Sequence, residues 1–251
     1  MITLQTKTGG NAIQMKNREN KDKKKLVVLS GAGVSAESGI PTFRGSDGLW
    51  EGHDITEVAS PEGWQKDPEL VLDFYNKRRA AIINAQPNEA HLIIAQLEAY
   101  YDVTVVTQNI DDLHERAGSS HVMHLHGEIK KVRSTKDPNL IYDWDKEDLA
   151  YGELCELGSQ LRPHIVWFGE QVPMIEPAYR LVQEADLLIV IGTSLQVYPA
   201  ASLVNGIQKG NPIYVVDPGT PSYPFESDVI AIQKKAVDGM KIVRDELILT
   251  L

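Results

Sequence analysis

Short apolar runs rich in β-branched residues recur at positions 26–29, 103–106, 122–125, 187–191 and 213–216. Each is too short for a helix and is followed by small or polar residues, the pattern of a strand buried on both faces of a parallel sheet. Between them, residues 88–100, 176–184 and 200–209 place apolar side chains at intervals of three and four, which predicts crossover helices. Strands alternating with helices predict an α/β fold, a Rossmann-like doubly wound parallel sheet.

Two stretches break this rhythm. Residues 39–86 begin as a turn-rich loop and pass into a helix, with Asp67 placed as its N-cap and Pro68 at its first position. Residues 128–163 are polar and acidic (Asp143, Asp145, Glu147, Asp148, Glu153, Glu156) and show no strong strand pattern. The two are expected to pack together as a small inserted module beside a core made of residues 25–38, 87–127 and 164–251. Residues 1–24 read as a disordered leader or extension.

Composition narrows this picture. With 251 residues, 42% apolar and 24% charged, the chain is long enough for one large core. It holds no run of about 18 apolar residues, and the first 25 residues lack the apolar centre of a secretory signal, so a cytoplasmic protein without a membrane partner is expected. The net charge is -10, yet residues 1–25 hold seven Lys/Arg against two acids, leaving -15 on the rest. Such a body disfavours nucleic acid and suits basic, lysine-bearing partners. A monomer is expected. The single cysteine, Cys155, excludes an internal disulfide and a zinc cage of several thiolates.

The strand at 26–29 runs directly into Ser30-Gly31-Ala32-Gly33-Val34-Ser35-Ala36, a G-x-G-x-x-A turn. Such a turn lets backbone N–H groups approach a pyrophosphate at a helix N-terminus, although alone it is equally a mark of tight strand-to-helix packing. A dehydrogenase would need a second strand closing on an acid about 20 residues later. Residues 40–53 are loop-like instead, which weakens a hydride-transfer reading.

Three longer blocks follow one another: GAGVSAESGIPTFR at 31–44, TQNID at 107–111 and HLHGE at 124–128, with Phe168-Gly169-Glu170 and Gly192-Thr193-Ser194 further on. In this order and spacing, from about residue 25 to the end, the chain resembles the sirtuins, NAD-dependent protein-lysine deacylases. The resemblance implies that Gly31, Ala32, Gly33, Ala36, Glu37, Thr42, Phe43 and Arg44 line an NAD site. Gln108, Asn109 and Asp111 would lie near the nicotinamide and its ribose, and Gly192, Thr193 and Ser194 near the adenosine half. Asp217 stands where the family usually has asparagine, and Ala236 falls where the family approaches adenine by backbone. His126 would be the general base, with Asn109 and Asp111 beside it as catalytic residues. NAD would be consumed as a co-substrate, giving nicotinamide and O-acyl-ADP-ribose. The backbone of Val166, Phe168, Gly169 and Glu170 would pair with a substrate peptide. His53, His91, His114, His121 and His164 lie outside any motif that needs a histidine and read as structural or surface groups.

The helix after Asp67 carries Val71, Phe74, Tyr75, Arg78 and Ile82 at spacings of three and four, which puts Tyr75 and Arg78 on or beside its apolar face. An arginine there needs a partner, ordinarily an internal salt bridge, while Lys77 and Arg79 read as solvated. Tyr-x-x-Arg with Ala59 ahead of it resembles the sirtuins that remove succinyl, malonyl or glutaryl groups. By that resemblance Arg78 binds the acyl carboxylate and Tyr75 hydrogen-bonds it. One departure from the family is plain: most sirtuins hold a zinc with four cysteines in the small module, whereas this region has only Cys155. A zinc-free protein is expected, its module held by packing among Leu140, Ile141, Tyr142, Trp144, Leu149, Tyr151, Leu154, Leu157 and Leu161. The alternatives are an NAD-dependent mono-ADP-ribosyltransferase and an inactive module that binds NAD or acyl-lysine.

Overall fold

The computed structural model describes residues 23–42, 50, 52–219 and 229–249. Phe43 and Arg44 of the expected NAD loop, and the leader up to residue 22, lie outside the described residues.

Strands β1 (Lys25–Ser30), β2 (Asp102–Thr107) and β3 (Val122–His124) pair in parallel. Strands β4 (Gly127–Ser134), β5 (Ile141–Asp143) and β6 (Leu161–Ile165) follow in a separate sheet, and β7 (Leu187–Ile191), β8 (Ile213–Val216) and β9 (Val229–Ile232) return to the first. The large sheet has the order β3-β2-β1-β7-β8-β9. Val28 pairs with both Val105 and Ile189, so β1 is central: the chain winds outward to one side, then crosses back to β7 and winds to the other.

Strand alternation explains the layers. Leu26 and Val28 pack against the helix Glu89–Gln96 and the final helix Ala236–Leu249, while Val27 and Leu29 point to Ile175–Gln183 and a 3-10 helix at Ala200–Gly206. Both faces of β1 are therefore dry, which is why its sequence is a continuous apolar run. The doubly wound α/β prediction holds. Strand β9 escaped notice because Ile230 and Ala231 are exposed at the sheet edge.

Several local expectations change. The glycine turn leads into two 3-10 turns, Ala32–Val34 and Ala36–Ser38, not an α-helix. Residues 128–163, expected to lack strands, supply most of an antiparallel sheet ordered β5-β4-β6. Its pattern was hidden by a register shift between Gly127 and Val132, which puts the buried Ile129 and Val132 three residues apart instead of two.

The helix Pro68–Asn84 opens as predicted, with the Asp67 carboxylate accepting from the Leu70 N–H. It lies on this second sheet: Leu72 packs with Val132, Leu149 and Leu161, and Phe74 and Tyr75 join Ile129, Ile165 and Trp167. Lys77 is exposed beside Asp73, but Arg79 is wholly buried rather than solvated. Its Nε donates to the Ile129 carbonyl at 2.9 Å and its Nη1 to the Glu147 carbonyl at 3.0 Å and Asn76 Oδ1 at 2.7 Å. The apolar cluster of the module is also smaller than expected. Leu149 and Leu161 are buried with Cys155, and Tyr142 and Trp144 pack at the edge, whereas Ile141, Tyr151, Leu154 and Leu157 are exposed. Leu140 is half-buried outside the cluster. Among the described residues no helix is long and apolar enough to cross a membrane.

Candidate active site

Parallel strands bring their carboxyl ends to one edge. Gly31 follows β1, Gln108 follows β2, Gly192 follows β7 and Asp217 follows β8. A cavity of about 550 Å³ opens there, lined by all four residues. This is the crevice beside the topological switch point, where open α/β sheets bind ligands.

The two glycine turns interlock. Gly31 N donates to the Ile191 carbonyl at 3.0 Å and Gly33 N to the Gly192 carbonyl at 2.9 Å. A Cβ on Gly33 would stand 2.6 Å from Gly192 Cα, and one on Gly31 would stand 2.8 Å from Thr193 Cβ. The glycines are thus required by close approach of backbone to backbone, and the amides of Gly31 and Gly33 are engaged within the fold. Ala32, Ala36 and Thr42 line the cavity beside them, as do Thr193 and Ser194. Thr193 Oγ1 accepts from Gln108 Nε2 at 3.1 Å, tying the end of β2 to the end of β7. At the far end, Asp217 Oδ1 accepts from the Gly219 N–H, and Ala236 starts the final helix. Glu37 reaches the same helix: its carboxylate accepts from the Val237 N–H at 2.9 Å, so this oxygen serves the helix N-terminus.

Ser35 is the hub of the polar wall. It donates to Asp111 Oδ2 at 3.0 Å and accepts from Asn109 Nδ2 at 3.1 Å. Asp111 also accepts from the Leu113 N–H, closing the turn after β2, so its capping and site positions coincide. Burial holds its carboxyl above the usual carboxylate range, against the pull of those hydrogen bonds. Ser35 was passed over in the sequence because a serine inside a glycine turn reads as a spacer. His91 and His114 are buried directly behind it, their rings 4.8 Å apart. His91 Nδ1 accepts from the Asn88 N–H, which leaves the proton on Nε2, 3.5 Å from Ser35 Oγ. Burial lowers His91 to about 4 and carries His114 well below its ordinary value.

His126 sits on the cavity wall just after β3. Its Nδ1 lies 3.0 Å from the Gln108 carbonyl oxygen, which can only accept, so Nδ1 carries the proton and Nε2 keeps its lone pair. Burial lowers its pKa, only partly opposed by that bond, and the ring is neutral at neutral pH.

The cavity continues towards the small module, where Ala59, Tyr75 and Arg78 line it together with the loop after β6, including Val166, Phe168, Gly169 and Glu170. The N–H groups of Val166, Phe168 and Glu170 donate to the carbonyls of His126, Ala59 and Trp167. The Glu170 carboxylate is held by Arg133 and Arg162 and accepts from the Trp167 N–H. The Arg78 guanidinium carbon lies 4.5 Å from the centre of the Trp50 ring. Every described residue expected at the site therefore meets in one cavity. It is also lined by Trp50, Trp167, Val197 and Tyr198, which no motif had marked.

Hydroxyl, amide and carboxylate groups run along the wall from Asp217 to His126, an arrangement that fits a ligand of two sugars joined through phosphates. Fold and site define a dinucleotide-binding α/β protein with a neutral histidine on the wall of its cleft. The chain belongs to the Sir2 family, whose sequence profile matches residues 31–199. It is 58% identical over 225 residues to the NAD-dependent protein deacylase of Helicobacter pylori, covering 90% of this chain and 98% of that protein. A Sir2 homolog–NAD complex matches with a TM-score of 0.81 at 40% identity, covering 94% of each chain. A Sir2–p53 peptide–NAD+ complex matches at 0.72 and 29% identity, covering 94% of this chain and 99% of that one.

Proposed function

We propose that the chain is an NAD-dependent protein-lysine deacylase whose pocket favours acyl groups ending in a carboxylate, succinyl, malonyl or glutaryl, over acetyl. The observation that carries the reading is that His126, Asn109, Asp111, Tyr75 and Arg78 all line one cavity. When bound, NAD would supply the sugar carbon that accepts the acyl oxygen as its bond to nicotinamide breaks and nicotinamide leaves. Around it, the interlocked turns at Gly31–Gly33 and Gly192–Ser194 set the wall, and Asn109, Ser35 and Asp111 hold one another in place. Neutral His126 takes a proton from a ribose hydroxyl at Nε2 while Gln108 fixes the tautomer. Because the N–H groups of Val166, Phe168 and Glu170 are committed within the fold, a substrate peptide pairs with this loop through its carbonyls.

Arg78 supplies the acyl selectivity. A guanidinium in a largely apolar wall complements a carboxylate, and the charge-assisted bonds contribute on the order of 1.5 to 3 kcal/mol each, about 10- to 150-fold in selectivity. The reading includes no zinc, and it divides the chain into the core 25–38, 87–127 and 164–251 and a small module from 39–86 and 128–163.

The test is an NAD-dependent assay on acetyl- and succinyl-lysine peptides of one sequence. His126→Ala is expected to lose about 10²- to 10⁴-fold on both. Arg78→Met is expected to reduce kcat/KM for the succinyl peptide about 10- to 150-fold more than for the acetyl peptide. Equal losses on both peptides would refute the pocket assignment.

A further inference from the structure

Tyr75 ends in a hydroxyl whose surroundings are built, and the builder is Trp167. The phenol is wholly buried, and its oxygen accepts a hydrogen bond from Trp167 Nε1 at 3.1 Å. Indole N–H is a donor only, so the direction of this bond is unambiguous. A phenol oxygen has one strong in-plane acceptor direction opposite its own hydrogen. With that direction occupied by the indole, the O–H hydrogen is turned the other way.

Trp167 is itself clamped. Its backbone N–H donates to Glu170 Oε2 at 2.8 Å. The guanidinium carbon of Arg162 lies 3.2 Å from the centre of its ring, and Arg162 is fixed by Glu170 Oε1 at 2.7 Å and by the Ile165 carbonyl at 2.9 Å. A cation over the ring face withdraws electron density and makes the indole N–H a better donor. The centre of the ring lies 6.5 Å from that of Tyr75 and 5.7 Å from that of Trp64. The chain Glu170–Arg162–Trp167–Tyr75 thus connects the loop after β6 to the inner end of the cavity.

We infer that Trp167 is a specificity-positioning residue: its indole N–H occupies the acceptor side of the Tyr75 hydroxyl and so presents that hydroxyl as a donor to the far end of the acyl group. An acyl chain ending in a carboxylate accepts this bond, whereas acetyl has no group to receive it. Trp167 acts only through Tyr75 and touches no reacting atom. The inference rests on the acidic-acyl reading above.

The experiment compares wild type, Trp167→Phe, Tyr75→Phe and the double variant, reading the ratio of kcat/KM for succinyl- over acetyl-lysine peptides of one sequence. A general loosening of the pocket affects both peptides and leaves the ratio unchanged. The expected result is a fall in the ratio of about 3- to 10-fold in Trp167→Phe, the worth of one hydrogen bond, located in KM for the succinyl peptide. The double variant is expected to match Tyr75→Phe with no further loss. Replacing Trp167 by 3-benzothienyl-alanine, which keeps the bicyclic shape and deletes only the N–H, is expected to reproduce the fall and covers the case in which Trp167→Phe does not fold. A wild type that prefers succinyl with the ratio unchanged in both Trp167 variants overturns this inference alone. A wild type with no succinyl preference overturns the acidic-acyl reading and this inference with it. Additive losses in the double variant also overturn it, since Trp167 would then act independently of Tyr75.

Discussion

His126 and Arg78 illustrate how a side chain's chemical state and placement are set by its neighbours. The imidazole donates from Nδ1 to one carbonyl, which fixes its tautomer, and burial lowers its pKa, so Nε2 keeps a free lone pair in the neutral range. A base works deprotonated, and a lowered pKa extends its working range to lower pH. The acidic limb of the kcat/KM profile for deacylation is therefore expected to have its midpoint below 6.5, the ordinary histidine value. A limb centred above 6.5 would contradict the neutral, carbonyl-tied ring. Arg78 shares its helix with Lys77 and Arg79, and only the fold separates the three: Lys77 is in solvent, Arg79 is in the interior, and Arg78 faces the cavity.

At the scale of elements, the helix Pro68–Asn84 is the hinge of the design, because it carries both Tyr75 and Arg78 and is the part of the first insertion that grips the second. The grip is Arg79, whose guanidinium is bonded to the carbonyls of Ile129 in β4 and Glu147 beyond β5. Burial lowers even this arginine to about 10. Arg79→Ala leaves those carbonyls without their donor and opens a void, and is expected to lower the unfolding free energy by about 2 to 4 kcal/mol in urea titration. Lys77→Ala, one residue away, is expected to change it by no more than about 0.5 kcal/mol. A comparable effect of the two variants would show that the helix does not depend on this contact.

For the whole molecule, the proposed absence of zinc is tested at the small module. Cys155 is buried, with its sulfur 3.3 Å from Ser134 Oγ and 3.1 Å from Ser159 Oγ, and it packs with Leu72, Val132, Leu149 and Leu161. In the proposed zinc-free reading, these hydrogen bonds and the packing of Leu72 from the helix Pro68–Asn84 hold the module together. The purified protein is expected to contain no stoichiometric zinc by elemental analysis, and EDTA is expected to leave its Tm unchanged. One zinc per chain, or a Tm lowered by chelation, would refute this.

The sequence by itself determined the parallel sheet, because strands buried on both faces must be apolar without interruption, and that signal is local to 26–29 or 187–191. It also determined the glycine turns and the blocks around Asn109, Asp111 and His126, which meet in one cavity. The tertiary structure alone decided which side chains those blocks would meet. Ser35 became a hub only when β1 and β2 were placed side by side. Trp167 reached Tyr75 across 92 residues of chain. Arg79 was buried only because a second sheet covered it, and the strands of that sheet were illegible where a register shift broke their alternation. Periodicity reports which face of an element is dry, and it holds no information on which distant element makes it so.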